Sequence, residues 1–106
     1  MKVNLSPKVI SGLKAIAEKY SINKIVLFGS RARGDNNLRS DLDIAIYTSA
    51  EFNNKGHLIS DIDDLETLLK IDIIFINQDT DEKLIANIER EGVVIYERLH
   101  SKVSEL

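Results

Sequence analysis

The chain has 106 residues, a net charge of −3 and no cysteine. That length sets the expectation of one domain over residues 1–106 with a modest core, and the missing thiols exclude disulfides and thiolate metal sites. No apolar run is long enough to span a bilayer, and the acidic balance speaks against general nucleic-acid binding, which wants a basic face.

The start, Met1-Lys2-Val3-Asn4-Leu5-Ser6-Pro7, is too polar for a signal peptide, so the expected location is cytoplasmic. Ser6 before Pro7 reads as a helix start, a cap followed by proline in the first turn. Val9, Ile10, Leu13, Ile16, Ala17 and Tyr20 then recur on one helical face. Residues 23–28 read as a first strand. Leu42, Ile44 and Ile46 alternate with Asp41, Asp43 and Ala45, the pattern of a half-buried second strand. Residues 51–56 read as a polar loop. Ile59, Ile62, Leu65, Leu68 and Leu69 mark a second amphipathic helix whose acidic run (Asp61, Asp63, Asp64, Glu66) is expected in solvent. Residues 72–76 form a third strand. Asp79 with Glu82 resembles a capping arrangement for a third helix, and Gly92 is placed to end it. Residues 93–96 make a last strand, and the tail 97–106 reads as helix or disorder. The order is α-β-β-α-β-α-β.

Chemistry concentrates between strands one and two, at Gly29-Ser30-Arg31-Ala32-Arg33-Gly34 and Ser40-Asp41-Leu42-Asp43. Alternation along a strand puts Asp41 and Asp43 on the same side. Carboxylates so close repel one another and favour a divalent cation, and an all-oxygen donor set suits Mg²⁺. Asp72 opens strand three and joins this cluster if that strand pairs beside strand two. Three carboxylates can hold two metals. Gly29 lets a phosphate approach the backbone, Ser30 offers a hydroxyl, and Arg31 or Arg33 supplies positive charge. Taken alone, Asp-x-Asp is most often solvated surface; the strand and Gly-Ser turn just upstream favour the functional reading. His57 and His100 are isolated, and no Ser-His-Asp set or Gly-x-x-x-x-Gly-Lys-Ser/Thr loop is present.

These motifs together resemble the polymerase-β-like nucleotidyltransferase superfamily, and within it the minimal nucleotidyltransferases, the MNT type. The resemblance runs from the first helix to Glu91-Gly92-Val93-Val94-Ile95-Tyr96. It implies an α/β (α+β) fold, with a mixed, mostly four-stranded sheet and helices packed on one side. It further implies transfer of AMP from ATP to a hydroxyl. Asp41, Asp43 and Asp72 would then be catalytic and metal-binding, and Gly29, Ser30, Arg31, Arg33 and Ser40 nucleotide-binding. Larger relatives carry a second domain for the acceptor. A chain of this length is expected to meet its acceptor on a partner, on a second copy or across an open face; Val94, Tyr96, Leu99 and Val103 are expected first to pack against the domain's own core, with part of that contact as the alternative. Proteins of this type commonly serve as the antitoxin of HEPN–MNT pairs, so the resemblance implies a HEPN-type toxin as partner and adenylylation of that toxin as the reaction. Two other readings stay open: an antitoxin acting by binding alone, and a transferase with a small-molecule acceptor.

Overall fold

The structure, a computed structural model, describes residues 5–29, 41–49, 51–65 and 70–98. Helix α1 spans Pro7–Lys19 and starts as the sequence predicts: the Ser6 hydroxyl accepts the Val9 N–H at 3.2 Å, and Pro7 fills the first turn. Lys19 in its last turn complements the negative end of the helix dipole. Ser21, with φ +56°, turns the chain into strand β1, Lys24–Phe28. Strand β2, Leu42–Tyr47, runs antiparallel to it. Helix α2 spans Lys55–Asp63, and strand β3, Ile71–Ile76, lies parallel to β2. Helix α3, Glu82–Glu91, leads to strand β4, Val93–Glu97, antiparallel to β1. The sheet order is β3-β2-β1-β4.

The expected mixed four-stranded α+β architecture and element order are therefore what the chain adopts. The helices, however, do not share one side. Strand alternation makes both faces of the sheet apolar in its middle, and each face needs a cover. Ile25, Leu27, Leu42, Ile44 and Ile46 point to one face and pack under α1 and α2, through Val9, Leu13, Ile16, Leu58 and Ile62. Val26, Ala45 and Ile76 point to the other and pack under Ile88 of α3, with Leu84 and Ile85 beside it. Each such aliphatic side chain taken fully out of water contributes about 1.5–3 kcal/mol.

Three local expectations change. Helix α2 begins within the segment read as a loop, because Leu58 and Ile62 bury one turn apart while Ile59 stays 38% exposed. Ile62 and Leu65 of the predicted face do pack on the core, Leu58 takes the place expected of Ile59, and Leu68 and Leu69 lie outside the described residues. Asp79 does not cap α3: its N–H donates to Asn77 Oδ1 at 2.8 Å, in a turn that Thr80 Oγ1 tightens by accepting the Asn77 N–H at 3.0 Å. Gly92 does end α3, but in extended conformation (φ −83°, ψ 162°). Its requirement is space, since a Cβ there would run into Ile88 O and Val26 Cγ1.

Asp61 is a further departure. Rather than standing in solvent, its carboxylate joins α2 to α1 by accepting from Lys19 Nζ at 2.9 Å and Tyr20 Oη at 2.7 Å. The Lys19 and Tyr20 hydrogen bonds hold the Asp61 carboxyl below its ordinary value. A depressed acid stabilises the fold above its unfolded-state pKa and loses that contribution as pH falls towards the folded value. Asp61→Asn is therefore expected to lower the melting temperature at pH 7 and to flatten its decline between neutral and acidic pH. Thermal melts by circular dichroism at pH 3 to 7 check it; parallel curves for parent and variant would refute the clamp.

Candidate active site

Three strands bring their ends together at one edge of the sheet. Phe28, the last residue of β1, pairs with Asp43, and Asp43 pairs with Asp72 across the parallel β2–β3 ladder. Directly opposed residues on neighbouring strands present their side chains to the same face. Asp43 and Asp72 therefore stand side by side, both half-buried. Asp41 precedes β2 on the same side of the alternation and is exposed. The parallel pairing of β2 and β3, which the sequence left conditional, is what brings Asp72 to the cluster.

Gly29 lies against Asp43. It leaves β1 with φ +81°, a left-handed conformation that favours glycine. A Cβ at this position would lie 2.5 Å from Asp43 Oδ2. The missing side chain thus lets backbone sit directly against the carboxylate.

The electrostatics follow. Partial burial, then the negative charges of Asp72 and Asp41, push the Asp43 carboxyl above its ordinary value. This is the repulsion that a bound cation relieves. The donor set is all oxygen, the kind a hard divalent ion such as Mg²⁺ takes. Among the described residues, no group of three or more His, Cys, Asp or Glu side chains is placed to hold a metal ion.

Lys70 was not singled out by its sequence context. Its Nζ lies 3.8 Å from Asp72 Oδ1, in an open setting where such a contact is weak. The signal was present in the spacing, because residues two apart at a strand start share a face. Ser30, Arg31, Arg33 and Ser40 lie outside the described residues, so of the expected nucleotide-binding group only Gly29 is placed. His57 is exposed on α2. No helix of the described residues is long and apolar enough to cross a membrane.

A family model for the polymerase β nucleotidyltransferase domain matches residues 12–101. No curated protein matches the chain. Among solved structures, a toxin–antitoxin with AMP-PNP superposes with a TM-score of 0.63 at 18% identity, covering 87% of this chain and 76% of that one. A putative nucleotidyltransferase from Sulfolobus solfataricus gives 0.52 at 21% identity, over 92% and 94%. A tri-AMPylated Shewanella oneidensis HEPN toxin in complex with MNT antitoxin gives 0.56 at 16% identity, over 89% and 74%. At these identities the likeness establishes the fold alone.

Proposed function

For a chain that belongs to the polymerase β nucleotidyltransferase family, we propose transfer of AMP from ATP to a hydroxyl of a partner protein, as the antitoxin that silences a HEPN-type ribonuclease toxin in the cytoplasm. The observation that carries the catalytic part is the juxtaposition of Asp43 with Asp72, with the Gly29 backbone against Asp43. The structural likeness to a HEPN toxin in complex with MNT antitoxin supports the choice of partner.

Asp41 and Asp43 would hold Mg²⁺ on the triphosphate, and Asp72 would complete a second site facing the acceptor. Bound there, Mg²⁺ supplies charge stabilisation at the phosphoryl oxygens. Gly29 and Ser30 would hold the β and γ phosphates, with Arg31, Arg33 and Ser40 the remaining candidates for holding the nucleotide. Asp72 accepts the proton of the attacking hydroxyl on its carboxylate. The acceptor oxygen bonds to the α phosphorus, the bond from that phosphorus to the bridging oxygen breaks, and pyrophosphate leaves. The product is AMP joined to the acceptor oxygen.

The direct test is intact mass spectrometry of a co-expressed HEPN-type partner incubated with the chain, ATP and Mg²⁺. An added AMP mass that disappears with Asp41→Asn is expected. A second reading is neutralisation by binding alone, since no group of three or more His, Cys, Asp or Glu among the described residues is placed to hold a metal ion. It wins if Asp41→Asn still neutralises the partner with no mass added. No added mass and no association would favour a small-molecule acceptor.

Asp72→Asn is expected to separate binding from chemistry. It should keep ATP affinity within a few-fold while transfer of label from α-labelled ATP falls by roughly 10²–10⁴, the scale of a lost general base. Unimpaired transfer would reduce Asp72 to a polar residue at a strand start.

A further inference from the structure

A groove of about 470 Å³ opens at the end of the sheet remote from the aspartates. Asp43 and Tyr47 are both on β2, so four residues of strand, roughly 14 Å, separate the two ends. The groove is large enough for a ligand of nucleotide size. Its apolar lining is Ile76 at the end of β3, Ile85 on α3 and the Tyr47 ring. Its rim carries amides, Asn77 and Gln78, and two cations, Lys24 and Arg98.

Thr48 makes this more than a surface dip. It is the buried polar residue of the described core, 9% exposed, and it lines the groove. Its backbone N–H donates to Ile76 O at 3.1 Å, but its hydroxyl makes no hydrogen bond among the described residues. No buried side-chain polar atom among the described residues lacks a hydrogen-bond partner, so this unpartnered hydroxyl is open to the groove, where water or a ligand can meet it.

The cations are held at the rim by neighbouring groups. Lys24 Nζ sits 4.6 Å from the Tyr47 ring centroid and 3.8 Å from Glu89 Oε2. Arg98 spends one N–H on Ser21 O at 3.2 Å, which leaves the rest of its five-donor guanidinium to face an anion. Glu97 on the same rim opposes a ligand with several negative charges. The chemistry therefore selects a flat, hydrogen-bonding ring between aliphatic surfaces with a single anionic group attached.

We propose that this groove is a second nucleotide site, independent of metal and of the carboxylates, that takes a nucleoside monophosphate. The base lies between Ile76 and Ile85, with its edge read by the Thr48 hydroxyl and the Asn77 and Gln78 amides. The phosphate meets Arg98 and Lys24. The site does not rest on the transferase reading.

Titration calorimetry of the full chain with AMP in EDTA tests it. One AMP per chain is expected, at least tenfold tighter than adenosine or ribose 5-phosphate alone. Thr48→Val, which keeps the shape and deletes the hydroxyl, should weaken AMP by roughly three- to tenfold, as one hydrogen bond does. Arg98→Ala should weaken AMP and leave adenosine unaffected. Shifts of the Asn77 and Gln78 side-chain amides in NMR spectra report occupancy on the parent chain. The proposal is overturned if millimolar AMP gives neither heat nor shifts. It is equally overturned if ribose 5-phosphate binds as well as AMP, or if affinity follows Asp43 rather than Thr48.

Discussion

Asp43→Asn is expected to cut AMP transfer by about a thousandfold or more, the scale of losing several kcal/mol of metal-borne charge stabilisation, and at the same time to make the metal-free protein more stable at pH 7. The second effect follows from the raised pKa. Burial and the charges of Asp72 and Asp41 make ionised Asp43 costly in the fold. The folded state therefore binds its proton more tightly than the unfolded state. The penalty is absent below the ordinary carboxylate pKa, grows as pH rises through that value, and is complete above the raised folded one. Asparagine never ionises, so the variant escapes the penalty at neutral pH. Calorimetric melts in EDTA should show the variant melting above the parent at pH 7, with the gap closing at acidic pH. Mg²⁺ should then raise the parent's midpoint and leave the variant's unchanged, because ligand binding stabilises only the state that binds. A variant that melts lower in EDTA, or gains equally from Mg²⁺, would show that Asp43 is a structural residue.

The site was legible in the sequence to the extent that it depends on local geometry. Strand alternation alone placed Asp41 and Asp43 on one side, and the Ser6-Pro7 start of α1 needed nothing beyond one turn of chain. Asp72 required a fact that no local pattern contains, the parallel pairing of β2 with β3 in the register Asp43 to Asp72. Gly29 was read as a place for phosphate to approach; its contact with Asp43 adds that the first thing approached is a carboxylate of the same chain. Misreadings occurred where long-range packing outweighed pattern. Both sheet faces needed a helix, so α3 went to the opposite side from α1 and α2. Asp61 looked like solvated surface because its partners, Lys19 and Tyr20, are some forty residues earlier in the sequence. Thr48 gave no sequence signal at all, since a threonine after a strand is ordinary until its burial beside an open groove is known.

Gly29→Ala is expected to be nearly as damaging to transfer as loss of a carboxylate, although it removes no functional group. Two costs combine. Alanine at φ +81° adopts a left-handed backbone, which disfavours any residue with a Cβ by about 1–2 kcal/mol. The new methyl carbon would also stand 2.5 Å from Asp43 Oδ2, so either the turn or the carboxylate must move. A displacement near 1 Å at a reacting centre is enough to reduce a rate by about a hundredfold. Stability and activity should therefore fall together, unlike Asp43→Asn, in which they part. A double-mutant cycle isolates the contact. Adding Asp43→Gly to Gly29→Ala removes the group the methyl meets, so the pair should regain part of the lost melting temperature while transfer stays absent. Strict additivity of the two substitutions in the melting data would mean that residues 29 and 43 do not touch, and with that the cradle holding Asp43 in place would be lost.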